Sequence, residues 1–176
     1  MVTQNKTIRQ RKTHIKPKKN NKISFSLLLH NIRSTHNVGA IFRTADAIGV
    51  SKIYISGYTP SPIDRFGRNR QDITKASLGA ESSVPWENIS DVYNFINKLK
   101  KEKVNIIGLE QDERSIDYRK AKINKDNLII IGNEVDGIEK GMLGLCDEIL
   151  EIPMKGKKES LNVSVATGIL LYSLFD

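Results

Sequence analysis

The stretch EILEIPMKGKKESLNVSVA, Glu148–Ala166, holds a strand, a loop and a helix start in one run. Glu148–Ile152 reads as a strand that ends in Ile152-Pro153-Met154. A loop of glycine and lysine follows, and then a helix over Asn162–Phe175. Ser160 or Asn162 can cap that helix, because each carries a side-chain oxygen for the free amides of the first turn. If the strand belongs to a parallel sheet, the loop lies beyond its carboxyl end, where such sheets hold their ligands. Val163, Ala166, Leu170 and Leu174 form one apolar stripe on the helix, while Val165, Ile169 and Leu171 spread around the rest. A helix apolar nearly all round is covered on both sides. The cover is either the chain's own core or a second copy, which would make a homodimer.

Working outward, the same alternation recurs. Ser24–Ile32 reads as a strand. Asn37–Ile48 reads as a helix, with Val38, Ile41, Phe42, Ala45 and Ile48 on one face and Gly49 as its stop. Lys52–Ser56 is a second strand, followed by a loop rich in Pro, Gly and Arg from Gly57 to about Gln71. Ile73–Leu78 fits either state. The spacing of Ile89, Val92, Tyr93, Ile96 and Leu99 predicts a helix over Ile89–Lys103. Val104–Leu109 and Leu128–Ile131 are further strands, and Ile138–Cys146 a helix despite two glycines. Unbroken apolar strands alternating with helices imply an α/β fold, a parallel sheet with helices on both faces.

Charge divides the chain in two. Residues 1–22 carry eight of the 28 Lys and Arg and none of the 20 Asp and Glu, so residues 23–176 balance to zero. An arm so poor in apolar residues cannot bury enough surface to fold alone. It is expected to be a flexible basic arm, residues 1–22, with Lys16, Lys18 and Lys19 on nucleic-acid phosphates; a solvated tail is the plainer alternative. Residues 23–176 form the folded domain. No apolar run is long enough for a transmembrane helix, and no secretory signal is visible, so no membrane partner is expected. The single cysteine, Cys146, excludes an internal disulfide and fits a reducing, cytoplasmic setting.

Several chemistries are absent. There is no Walker loop and no GxGxxG after a strand. No HExxH and no Cys/His cluster is present, so no metal site is expected. The three histidines form no triad in sequence.

Three segments remain, each at the carboxyl end of an expected strand. In Asn31–Val50, Asn37 bounds a helix and Arg43 points away from its apolar stripe. Gly39 and Ala40, one turn earlier, leave little bulk beside the guanidinium. A surface pair with Asp46 would be worth little. In Leu128–Ile138, Gly132 permits close approach to the backbone and Glu134 follows near a helix start. The third segment is Glu148–Ala166.

Taken together, NxGxxxR, GxE and IPMxG-x3-SLNVSVA resemble the SpoU (TrmH-type) branch of the SPOUT RNA 2′-O-methyltransferases, over about residues 24–176. Larger relatives place an RNA-binding domain before the catalytic part; here only the basic arm stands in that place. The resemblance implies a C-terminal deep trefoil knot, which the general rule against threaded connections would not suggest. It also implies a homodimer and S-adenosylmethionine as methyl donor. The matching cofactor positions are Leu109, Gly132, Ile152, Met154 and Leu161. Adenine needs an apolar slot, which Ile152, Met154 and Leu161 could frame. A cationic sulfonium requires Lys155, Lys157 and Lys158 to point outward.

The resemblance gives Arg43 the activating role toward a ribose 2′-hydroxyl of tRNA or rRNA. A guanidinium keeps its proton in ordinary sites, so a clamp on phosphate and 2′-oxygen is the conservative role. Asn37, Glu134, Ser160 and Asn162 are expected to orient Arg43, the donor and the loops. In the loop DRFGRNR, Arg65, Arg68 and Arg70 are expected to contact RNA, with Phe66 stacked on an unpaired base or packed locally. The alternatives are a non-catalytic RNA-binding protein of this fold, or a SPOUT enzyme that methylates a base.

Overall fold

The structure is a computed structural model and describes residues 23–175. The basic arm with Lys16, Lys18 and Lys19 therefore lies outside the described residues. Seven strands form one parallel sheet in the order β3-β2-β1-β6-β4-β7-β5. They are β1 (Ser24–His30), β2 (Lys52–Ser56), β3 (Trp86–Ile89), β4 (Asn105–Leu109), β5 (Ile116–Asp117), β6 (Asp126–Ile131) and β7 (Glu148–Glu151). The helices are α1 (Thr35–Ile48), α2 (Gln71–Ser77), α3 (Ala80–Ser83), α4 (Val92–Lys101), α5 (Lys140–Leu143) and α6 (Val163–Phe175).

The central strands are apolar without interruption because both of their faces are covered. Leu27 and Leu29 of β1 face one core with Ile53, Ile129 and Leu150, closed by α1, α2 and α6. Leu28 faces the other, with Ile106, Leu128 and Ile130, closed by Val92 and Ile96 of α4 and by Met142 and Leu143. Period-two alternation inside a run such as LLL thus feeds two layers.

Helix starts are set by side chains. Ser34 accepts from the Asn37 amide at 3.2 Å and Asp91 from the Asn94 amide at 3.0 Å. Asp91 also explains a shortened helix. The helix expected from Ile89 begins at Val92, because Ile89 closes the edge strand β3 and the cap intervenes. The helix expected over Ile138–Cys146 shrinks to Lys140–Leu143. Ile138 belongs instead to the loop ahead of it, its amide donating to Glu110 at 2.9 Å. The ambiguous Ile73–Leu78 falls on α2, whose Ile73 is fully buried.

Gly39 has a different purpose from the one expected. A Cβ there would stand 2.6 Å from the Ala76 Cβ and 2.7 Å from the Ile73 carbonyl. The missing side chain lets α1 and α2 pack together; it does not open space beside Arg43.

Candidate functional site: a three-loop pocket at the carboxyl edge

All seven strands run the same way, so the loops after β1, β4, β6 and β7 meet at one edge. A cavity of about 230 Å³ lies there. Leu109, which ends β4, Gly132 after β6, and Ile152, Met154 and Leu161 after β7 all line it, together with Glu134 and Ser160. Gly132 is required by close approach: a Cβ would stand 2.5 Å from the backbone of Gly137. The 133–137 loop folds back through reciprocal bonds between Asn133 and Gly137, 3.0 and 3.1 Å long.

The charge of the wall is one-sided. Glu110, Glu134, Asp136 and Glu151 line the cavity, and among the described residues no lysine or arginine does. Lys155, Lys157 and Lys158 are exposed. Glu110 escaped the sequence reading, and so did Gln111, which donates to the Glu159 carbonyl at 2.7 Å and ties the β4 loop to the β7 loop. Their position just past Leu109 was the available signal, since every strand's carboxyl end contributes to this edge.

Beside the cavity, one hydrogen-bonded chain crosses all three motif segments. Glu134 accepts from the Arg33 amide at 2.9 Å, the Ser34 amide at 3.1 Å and the Asn37 side chain at 2.9 Å. The Asn162 side chain in turn donates to the Asn37 side-chain oxygen at 3.1 Å. Burial works against the Glu134 charge. The bonds from Arg33, Asn37 and Ser34 outweigh it and hold the carboxyl below its ordinary range.

The cap of α6 is settled as well. The Asn162 side-chain oxygen accepts from the Ser164 amide at 2.9 Å and the Val165 amide at 3.4 Å. Ser160 stands outside this arrangement, exposed on the cavity wall.

Arg43 is not drawn into the chain from Glu134 to Asn162. It is exposed on α1 and has no hydrogen-bond or ion-pair partner among the described residues, so the surface pair with Asp46 does not form. The loop arginines also separate. Arg65 and Arg68 flank Phe66, whereas Arg70 leads into α2 and buries its Nε. His30, unassigned by sequence, lies 2.8 Å from the Ser56 hydroxyl and 3.0 Å from the Glu139 carboxylate. Ser56 is 3% exposed, so this trio ties the ends of β1 and β2 to Glu139 and offers no reachable nucleophile.

Fold and pocket define a class: a parallel α/β protein with a cavity among three loops beyond its strand ends. The sequence pattern of the SpoU rRNA Methylase family matches residues 24–172, and the chain belongs to that family. A Staphylococcus saprophyticus protein assigned to the TrmH family of tRNA/rRNA methyltransferases is 36% identical over 158 residues. The match covers 90% of this chain and 61% of that relative, so the chain spans about three fifths of the relative's length. An AdoMet-bound rRNA methyltransferase from Sinorhizobium meliloti superposes with a TM-score of 0.76 at 28% identity, covering 85% of this chain and 55% of that one. The A. aeolicus TrmH/SpoU tRNA modifying enzyme gives 0.76 at 27% identity, covering 88% and 75%.

Proposed function

We propose that the chain transfers a methyl group from S-adenosylmethionine to a ribose 2′-hydroxyl of tRNA or rRNA. The observation that carries this reading is the composition of the cavity. Ile152, Met154 and Leu161 provide an apolar slot, Gly132 lets a ligand reach the backbone, and four acidic residues line the cavity with no basic one among the described residues. A nucleoside bearing a positive sulfonium fits that set, because opposite charge is favoured near carboxylates and like charge is kept away. At about 230 Å³ the cavity is below the ~300 Å³ at which small-molecule sites begin, so such a ligand fills it and reaches toward solvent. The AdoMet-bound Sinorhizobium relative supports the same assignment.

S-adenosylmethionine supplies an activated methyl group when bound. The chain's own task is to bring a ribose hydroxyl to it and to hold the charge that develops. Asn37, Glu134 and Asn162 fix the three loops relative to one another, and Ser160 presents a hydroxyl on the wall. Arg43 carries an uncommitted guanidinium suited to clamp the target phosphate and stabilise the 2′-oxygen as its proton leaves. Its lack of a side-chain partner among the described residues favours that role, since a committed arginine would have to break a bond first.

The proposal includes a C-terminal trefoil knot. In its support, α6 packs against α1 and against the 3-10 turn Tyr118–Lys120, part of the connection from β4 to β6. Gln111, in the same connection, holds the Glu159 carbonyl. It also includes a homodimer. Val165 is 50% and Tyr172 54% exposed on α6, and Leu161 just before it is 38% exposed, so among the described residues nothing covers this side. The 1–22 arm is proposed to hold RNA phosphates.

Titration calorimetry tests the cavity assignment. S-adenosylmethionine should bind the wild-type chain and fail to bind Leu161→Arg, which sets a like charge on the wall. Equal binding by both would remove the cavity from the proposal.

A further inference from the structure

The 57–70 loop leaves the carboxyl end of β2, on the same edge of the sheet as the cavity. Its tip is a built hairpin. Ile63 and Asn69 form an antiparallel bridge, and the Asp64 amide donates to the Arg68 carbonyl at 2.8 Å. The Asp64 carboxylate fills the turn, accepting from the Phe66 amide at 2.8 Å, the Arg68 amide at 3.0 Å and the Arg68 Nε at 3.1 Å. Gly67, at φ 78°, closes the turn in the left-handed region. The Arg70 amide anchors the base to the Pro62 carbonyl at 2.8 Å.

This scaffold holds up a ring that the core does not use. Phe66 is 65% exposed. The guanidinium carbons of Arg65 and Arg68 lie 4.7 and 5.0 Å from its centroid. Arg65 has no carboxylate partner among the described residues. An exposed aromatic ring beside a guanidinium that no carboxylate neutralises fits a ligand that is both planar and anionic. An acidic peptide would satisfy the guanidinium and leave the ring bare. A nucleotide satisfies both, provided its base is not already stacked within a duplex.

We propose that the Ile63–Asn69 hairpin is a stacking platform that takes one unpaired base on Phe66 and a flanking phosphate on Arg65, while Arg68 stays on Asp64 and holds the turn. The platform rests on the RNA reading of the chain and deepens it: it implies that the target RNA is single-stranded or looped at the point of contact.

The test uses fluorescence anisotropy on the full chain, with a labelled oligouridine and a blunt RNA duplex of equal length. Phe66→Ala and Phe66→Leu should each weaken oligouridine binding about tenfold, in line with the worth of one base–aromatic stack. The salt dependence should stay unchanged, because no phosphate contact is lost. Duplex affinity should also stay unchanged, and Phe66→Trp should bind oligouridine at least as well as wild type. Arg65→Gln should instead flatten the salt dependence by about 0.7. Wild-type affinity in both Phe66→Ala and Phe66→Leu, or equal losses on the duplex, would overturn the platform while leaving the RNA reading intact. A wild-type chain that binds neither RNA would overturn both.

Discussion

The Asn162 side-chain amide donates to the side-chain oxygen of Asn37 at 3.1 Å, joining the foot of α6 to the first turn of α1 across 125 residues of chain. Asn37 passes the link to Glu134 through its own amide. Both ends of Asn37 are therefore committed, and neither neighbour can lose it without leaving a polar group unpaired. Asn37→Ala should cost about 1–3 kcal/mol in urea unfolding, because the Glu134 carboxylate loses a donor. Asn162→Ala should cost about 1 kcal/mol through the lost cap alone, and more through the lost link. The double variant should fall short of the sum by at least ~0.5 kcal/mol. Strict additivity would mean that the two asparagines act independently.

Glu134 sets a pH dependence. Its folded pKa is depressed, with burial opposed and outweighed by the hydrogen bonds from Arg33, Asn37 and Ser34. A depressed carboxylate contributes stability that is fully present above the unfolded value of about 4.3, and loses it as pH falls through the folded value. The urea midpoint of wild type should therefore drop on acidification below about pH 5 more steeply than that of Glu134→Gln. Identical acid slopes would assign the depressed carboxyl elsewhere.

Gly132 and Gly156 give a matched pair. An added Cβ at Gly132 meets the Gly137 backbone at 2.5 Å, whereas at Gly156 it meets nothing within 4 Å. Gly132→Ala should destabilise the fold by about 1–3 kcal/mol and abolish donor binding, since it forces the 133–137 loop to shift. Gly156→Ala should match wild type in both. A tolerated Gly132→Ala would show that the loop has slack.

The exposed side of α6 makes a prediction about assembly. Sedimentation should give a species of twice the 19.8 kDa chain mass. Val165→Asp with Tyr172→Asp should shift it to the single-chain mass, because a dimer interface does not bury unpaired charge. A wild-type monomer at micromolar concentration would leave those side chains in water.

What the sequence displayed and what it hid follow physical lines. β1, β6 and α1 were legible because burial imposes unbroken runs or a helical stripe on them. β3, WENI, was not: an edge strand with two exposed polar residues in four carries no such pattern. β5, two residues long, carries none at all. The five expected cofactor positions line one cavity because each follows a recognisable strand. The Arg33 and Ser34 amides on Glu134 were illegible, since a main-chain donor has no residue signature. Gly39 misled because a missing side chain looks the same whether it frees a neighbour or admits a helix. The choice between Ser160 and Asn162 as cap turned on which oxygen sits one residue before α6, and sequence spacing alone left both open.

The central proposal, ribose methylation with Arg43 at the reacting oxygen, is tested most directly by one labelling measurement. Wild type and Arg43→Ala are given S-adenosylmethionine labelled in its methyl group together with tRNA and rRNA, and the product RNA is cleaved with alkali. A 2′-O-methyl group blocks cleavage at its own nucleotide, so wild type should leave the label in alkali-stable dinucleotides. Arg43→Ala should leave no label there while binding S-adenosylmethionine within about twofold of wild type, the pattern of a group that acts on the transition state. Label recovered in mononucleotides would place the methyl group on a base and rule out the ribose reading. Label persisting in dinucleotides from Arg43→Ala would remove Arg43 from the chemistry.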